Sequence, residues 1–277
     1  MELKEVIGNR RAIRFYLPFK PLERQKIQKM LEAARRASCV GNVNATNAIV
    51  IWRDQASPEL IQALTPPLGY QQMQTAPCFI LWCQNTMAYE VNKWIQDLLN
   101  LAETGRVGFG DMGETKEQID KLLRGVFTPI WKQAAVSPLA FMDVGQAVAQ
   151  ATLVAYDEGL STCCMSGPSV ERVAKLLKLP ETQVPVCLMS VGYSAESPEA
   201  GGQTVKAPFE QLFFEMEHGK PFKEDPKVVE ELKGEKMIQQ PAPLPWRQEE
   251  LRYLREALKL MPEGATAQEM GRVFDQT

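Results

Sequence analysis

Arg10, Arg11 and Arg14 place three guanidinium groups within five positions, directly before the apolar pair Phe15-Tyr16. Such a cluster has no use in a hydrophobic core. Guanidinium forks match phosphate and carboxylate oxygens, so one reading is an anion clamp. The other is a solvated face at a helix end, the ordinary fate of a charge run. A second stretch, Gly159-Leu160-Ser161-Thr162-Cys163-Cys164-Met165-Ser166-Gly167, reads as a strand that ends in small residues and a glycine before a helix begins. Free backbone N–H groups at such a turn suit a polar ligand. Together the two stretches suggest a site for an anionic, planar cofactor.

Other motifs carry less. Gly108-Phe109-Gly110-Asp111-Met112-Gly113 matches a dinucleotide fingerprint in letters only, because it follows a charged helix where the fingerprint needs a strand. It reads as a flexible insert that can act as a lid. Cys163-Cys164 invites a redox role, but free cysteines on a strand more often pack as small hydrophobes. His218 is the only histidine, which excludes a multi-histidine metal site and leaves a Ser-His-Asp triad dependent on the edge of the tail. Trp82 and Trp94 are expected in the core or at its rim. No residue is assigned a catalytic proton-transfer role and no metal ligand is expected.

The chain of 277 residues, 45% hydrophobic and 23% charged, has the composition of a soluble globular protein with a sizeable core. A net charge of −3 gives nucleic acid no electrostatic reason to bind. The charged start Met1-Glu2-Leu3-Lys4-Glu5 does not read as a signal peptide, and Asp143, Gln146 and Gln150 interrupt the most apolar segment, so no membrane partner is expected. The six cysteines form no CxxC pair or disulfide-scaffold spacing, which fits a reducing cytoplasm.

The elements that must position these residues alternate. Helical periodicity predicts a helix over 21–36, with Ile27, Met30, Leu31 and Ala34 on one face. Strands are predicted at 48–52, 77–83, 160–165 and 184–193, and helices at 87–103, 138–158 and 170–179. Ser57-Pro58-Glu59 reads as a helix cap with proline in the first turn. The 138–158 helix is apolar on more than one face, as in a helix buried on both sides. Past residue 215 the chain mixes charge with proline. An arm follows, with a helix from Trp246 carrying Leu251, Leu254, Leu258 and Met261, and a capping box at Thr266-Ala-Gln-Glu269. The arm is expected to pack on the body or on a second subunit.

Three blocks resemble the FMN-dependent nitroreductase family. Arg10-Arg11-Ala12-Ile13-Arg14-Phe15 and the later Ala37-Ser38-Cys39-Val40-Gly41-Asn42-Val43-Asn44-Ala45-Thr46 are similar to its Arg-x-Ser-x-Arg/Lys-x-Phe and Pro-Ser-x-x-Asn-x-Gln-Pro-Trp segments. The run from Asp143 through Gly159-Leu160-Ser161-Thr162, Ser166-Gly167-Pro168 and Pro185-Val186 to Gly192-Tyr193 resembles its second block, and Lys206 to Leu212 its closing one. The resemblance spans about residues 1–215, with an insert near 87–135 and the arm from 216 to 277 outside it.

It implies an α+β fold, an α/β/α sandwich whose mostly antiparallel sheet is covered by helices, in an interlocked homodimer. It also implies FMN as cofactor, NAD(P)H as electron donor, and nitroaromatics, quinones or similar electron-poor molecules as acceptors in a ping-pong cycle. By the same likeness Arg10 and Lys206 hold the phosphate, and Arg14 lies at the pyrimidine edge. Ser166 and Gly167 offer N–H groups near N5 and O4, and Ser38, Cys39 and Val40 reach in from the second subunit. Arg11, Ala12, Asn42, Gln72 and Met165 complete the expected cofactor contacts. The chain departs from the pattern at Ala12, which lacks the usual hydroxyl, at Asn44-Ala45-Thr46, and at Gln72, where many members carry a cation. Two alternatives stay open: a specialised flavin enzyme for dehalogenation or flavin breakdown, and a degenerate flavin-binding protein that no nicotinamide reduces.

Overall fold

The computed structural model describes residues 2–66, 70–108, 110–165 and 169–259. At its centre lies a four-stranded sheet in the order β1-β2-β4-β3, with every neighbouring pair antiparallel. The strands are β1 (Thr46–Trp52), β2 (Cys78–Asn85), β3 (Ser161–Met165) and β4 (Gln183–Gly192). The unbroken apolar run after Pro77 becomes β2 because a strand covered on both faces needs no polar side. Its side chains alternate between two cores. Cys78, Ile80 and Trp82 pack with Ile27, Met30, Val144 and Ala151, whereas Phe79, Leu81 and Cys83 pack with Leu60, Leu64, Met73 and Val173. Helices therefore cover both faces, and the three-layer α+β sandwich is the observed architecture.

The helix Arg24–Arg35 starts later than Pro21, with Glu23 extended at its cap position. Its Ile27, Met30 and Ala34 face the Pro138–Asp157 helix, whose buried side is mostly alanine and so allows close approach. Ser137 caps that helix by accepting from the Ala140 N–H, with Pro138 in the first turn. Within one chain only one side of it is covered: Leu139 and Met142 are 46% and 50% exposed.

The helix expected over 87–103 is broken. Thr86–Tyr89 forms a 3-10 turn, and Glu90 then caps a separate helix Val91–Glu103 by accepting from the N–H groups of Asn92 (3.1 Å) and Lys93 (3.3 Å). The insert beyond it is helical rather than irregular, with segments Met112–Gln118, Arg124–Phe127 and Trp131–Ala134 joined by a wide π turn. Phe127 stacks on Trp94 with ring centroids 3.9 Å apart, which ties the insert to the body. Gly108 and Gly110 follow the Val91–Glu103 helix and no strand.

The tail divides in two. From Val205 to Phe222 it stands off the body, exposing Val205, Leu212, Phe213, Met216 and Phe222. From Lys236 to Ala257 it returns. Gln203 donates to the carbonyls of Gly8 (3.0 Å) and Met237 (2.9 Å), and Gly8 has no room for a Cβ, which would meet the Lys236 carbonyl oxygen at 1.9 Å. Its last helix, Arg247–Ala257, buries Leu254. Met261 and the capping box at 266–269 lie outside the described residues.

Candidate functional site

The arginine cluster is shaped by a short extended strip, residues 12–16, added to the free edge of β3. Ala12 bridges Thr162 in parallel, the Ile13 N–H donates to the Thr162 carbonyl at 3.1 Å, and the Ala195 N–H donates to Phe15 at 2.8 Å. Alternation sends Ile13 and Phe15 inward and leaves Ala12 and Arg14 outside. Tyr16 pins the end of the strip. It is fully buried, its hydroxyl lies 2.9 Å from the Ser190 hydroxyl, and burial holds its pKa well above the ordinary tyrosine value.

The three arginines have different fates. Arg10 ends the Leu3–Asn9 helix and lines a cleft of about 240 Å3 with Tyr156, Ser161 and Thr162; its guanidinium makes no hydrogen bond or ion pair among the described residues. Arg14 is exposed and donates only to the Ala12 carbonyl, at 3.2 Å. Arg11 is drawn away to the tail: it donates to the carbonyls of Gly8, Arg10 and Glu199 and, at 2.7 Å, to Gln239 Oε1. Burial, then the neighbouring Arg10 charge, lowers its pKa. Its donors are thus occupied by protein oxygens, although it lines the same cleft as Arg10.

Gln72, on the helix Tyr70–Thr75, is 3% exposed and donates through Nε2 to the Cys163 sulfur at 3.4 Å. Its Oε1 is buried without a partner. Burial raises the Cys163 thiol, opposed by the Gln72 bond and by the nearby Arg14 charge. Gln72, Cys163 and Arg14 therefore converge at the end of β3 beside Met165. Ser166 and Gly167, which continue that end, lie outside the described residues.

A second group forms elsewhere. Gly41 and Asn42 both take left-handed backbone (φ 54° and 59°), turning the loop so that Gly41 approaches Trp94, whose Nε1 would lie 2.8 Å from a Cβ there. Asp143, 2% exposed, reaches across from the Pro138–Asp157 helix and accepts the Val40 N–H through Oδ2 at 3.0 Å. Its Oδ1 makes no hydrogen bond, although the Tyr89 hydroxyl is close; burial raises the Asp143 pKa, against the Val40 bond and the Tyr89 hydroxyl that lower it. A cavity of about 680 Å3 opens here, lined by Ser38, Cys39, Asn42, Asn44, Trp82 and Asp143. Burial first, then the Asp143 and Asp97 carboxylates, raise the Cys39 thiol.

The cavity at this loop shares no lining residue with the cleft at Arg10. Lys206 is exposed, three positions beyond the Gln203 side chain that binds Gly8, so its segment leaves the body near the helix that ends at Arg10. Two further groups are invisible to motif reading. Glu196 accepts the Arg14 N–H at 2.6 Å and the Phe15 N–H at 3.2 Å, and it pairs with Arg247 from the last helix. Only a partner 51 positions away identifies it. Asp143 stood in the sequence as the start of a helical block, with no signal of its contact to Val40.

The described residues hold no cluster of three or more His, Cys, Asp or Glu able to bind a metal, and no described helix is long and apolar enough to cross a membrane. A helix-covered antiparallel sheet, with cations unpaired among the described residues and a buried amide at one strand end, defines an α+β protein with a site suited to an anionic ligand. The comparisons agree. The family model described as "Nitroreductase family" matches residues 126–193. A conjugated-linoleic-acid biosynthesis enone reductase of Lactiplantibacillus plantarum is 27% identical over 202 residues, covering 71% of this chain and 88% of the relative. A Bacillus subtilis protein described as an NAD(P)H nitroreductase is 23% identical over 192 residues, covering 68% of this chain and 87% of its own. The solved structure of a nitroreductase-type protein of Exiguobacterium sibiricum in complex with FMN superposes with a TM-score of 0.62 at 20% identity, over 75% of this chain and 94% of that one. Residues 126–193 thus match the nitroreductase family, and the fold is the one that the Exiguobacterium sibiricum structure shares.

Proposed function

We propose that the protein is an FMN-dependent oxidoreductase in which NAD(P)H supplies electrons and an electron-poor molecule accepts them. The observation that carries this reading is the set of unsatisfied groups around the end of β3. Arg10 and Arg14 present guanidinium groups that neutralise no carboxylate, and Gln72 buries an amide oxygen that lacks a donor. A phosphate dianion fits the first requirement and a ring N–H fits the last. When bound, FMN supplies two-electron chemistry by hydride transfer, so the protein's task is to bind, orient and exclude water.

In this reading Arg10 holds the phosphate together with Lys206, and Arg14 places positive charge where the reduced ring carries negative charge. Gln72, fixed by Cys163, receives the ring N–H. Ser38, Cys39, Val40 and Asn42 complete the site from a second copy of the chain. The separation of their loop from Arg10 within one chain, and the exposed outer side of the Pro138–Asp157 helix, both support a homodimer. The insert over 87–135 would border the acceptor. The enone reductase relative extends the acceptor class from nitroaromatics and quinones to conjugated enones, and the Bacillus subtilis relative supports NAD(P)H as donor.

The test is spectroscopic. The purified protein should be yellow or take up added FMN, and NADH or NADPH should bleach it anaerobically. Arg10→Ala should weaken FMN binding by about 10- to 100-fold, the loss of one charge-assisted contact of about 1.5–3 kcal/mol. A colourless protein that binds no FMN would end the reading. Bound FMN that neither nicotinamide reduces would remove the donor assignment and favour a flavin-binding protein.

A further inference from the structure

Two thiols stand outside the chemistry above. Strand alternation separates Cys163, buried in the core beneath Gln72, from Cys164, which is exposed on the opposite face of β3. The expectation that both cysteines pack as small hydrophobes therefore holds for only one of them. Cys164 lies opposite Met189 on β4, so Cys187, two positions earlier, is its diagonal neighbour on the same face. That face is continuous across the sheet, because Cys187 pairs with Trp82 and Trp82 with Ala48. Among the described residues β3 ends at Met165, opposite Leu188, and Gln183 to Cys187 pair with β2 on their other side. Cys187 is left half-buried and Cys164 open.

The two sulfurs are not equivalent. Proximity to the Cys164 thiol, helped by the Met165 backbone N–H and opposed by burial, holds the Cys187 pKa below the ordinary thiol value. The same proximity and burial push Cys164 well up, against the nearby Arg10 charge. By contrast burial raises Cys78 to about 12 and Cys83 to about 11, and Cys39 is raised by burial and two carboxylates. The thiolate is the nucleophile and the soft ligand, so Cys187 is the position from which a thiophile would be attacked, with Cys164 alongside to close the chelate.

We propose that Cys164 and Cys187 form a dithiol site that captures trivalent arsenic and similar soft, two-thiol-binding electrophiles on the face that β3 and β4 share. Spacing decides for an inserted atom over a direct disulfide. Diagonal cross-strand neighbours stand roughly 7–8 Å apart, beyond the roughly 4.4–6.8 Å between Cα atoms that a disulfide tolerates. An arsenic atom between the sulfurs adds the missing reach. With phenylarsine oxide the step balances: two As–O bonds break, two As–S bonds form, and the two thiol protons leave with the oxide oxygen as one water molecule. The site does not depend on the cofactor reading.

The experiment uses the purified protein as isolated, with whatever flavin it carries. One equivalent of phenylarsine oxide should protect two thiols from alkylation, and peptide mapping should place them at Cys164 and Cys187. A dithiol competitor should release the arsenical where a monothiol does not. Cys164→Ser and Cys187→Ser should each weaken capture on the order of 10²-fold or more, because the second bond loses its high effective concentration; Cys39→Ser should leave it unchanged. Protection mapping to any other pair, capture that survives either single variant, or no protection in the unsubstituted protein would overturn the proposal. The mapping needs no variant and decides the matter even where a serine variant fails to fold.

Discussion

Replacing Arg247 tests whether the tail is part of the body. The Glu196 carboxylate is fully buried, with Arg247 itself 11% exposed. Arg247 also holds Glu250 at 2.7 Å, and Glu250 in turn accepts the Ser197 N–H at 2.6 Å. Gly201 makes room for this side chain, since a Cβ there would meet Arg247 Cδ at 2.6 Å. Arg247→Met keeps the stem and removes the charge, leaving Glu196 buried with only the Arg14 and Phe15 N–H groups. Breaking a buried pair in this way costs about 3–5 kcal/mol. In a chain of this size, at roughly 2–4 °C per kcal/mol, that lowers Tm by about 6–20 °C. Urea denaturation followed by circular dichroism reads the loss. Because Glu196 also fixes the backbone of Arg14, FMN affinity should fall in the same variant even at temperatures where it remains folded. Adding Glu196→Leu should recover much of the stability, since the stranded carboxylate rather than the missing attraction is the larger cost. A Met variant within 0.5 kcal/mol of the parent, the range expected of a surface change, would show that the last helix does not anchor the strip.

Three further outcomes follow from the same geometry. Burial raises the Asp143 pKa, so the native state keeps a proton that the unfolded chain has released above about pH 4. Stability therefore falls as pH rises through the raised pKa and does not return above it. Asp143→Asn retains an acceptor for Val40 and removes the titration, so its stability relative to the parent should improve from pH 4 to pH 7; a flat difference in urea midpoints would refute the assignment. Gly8→Ala should release the 236–239 segment, because the new Cβ would sit 1.9 Å from the Lys236 carbonyl oxygen. Limited proteolysis should then cut near Lys236 well before the body is degraded, and resistance equal to the parent would count against the close approach. Lys29→Ala removes an exposed pair with Glu158 (2.7 Å) and should change stability by less than about 1 kcal/mol, a control that sets the scale for Arg247.

What the sequence made legible depended on the range of the interaction. The Pro77-led apolar run, the Ser57-Pro58 cap and the i, i+3, i+4 face of Ile27, Met30 and Ala34 are local patterns, and each became the element it predicted. The 87–103 helix was misread because its periodicity continues through Glu90, whose carboxylate instead caps a new start. The insert looked irregular because its glycines outweigh weak helical segments that Asp111 and the Trp94–Phe127 stack then hold. Arg10 and Arg11 are neighbours of one type in one motif, yet one guanidinium is unpaired and the other is bound by Gln239, a residue 228 positions away. No local rule separates them.

The same limit applies to the site itself. Strand alternation over residues 12–16 sorts Arg14 outward, and alternation on β3 sorts Cys163 from Cys164, because period-two geometry is local. What alternation cannot supply is the occupant of the space each residue faces. Asp143 and Gln72 show why this matters. Each spends one polar atom on positioning a neighbour, Val40 and Cys163 respectively, and leaves the other buried without a partner. An unmet buried acceptor costs roughly 1–3 kcal/mol, so a donor supplied by a ligand or a second copy would add stability at either position. At Gln72 the proposed flavin would supply that donor. At Asp143 the lining of the larger cavity, together with the uncovered Leu139 and Met142, points to a second copy. In the proposed reading the two oxygens would separate a ligand-facing site from a subunit-facing one, a division that the arginine motif alone does not contain.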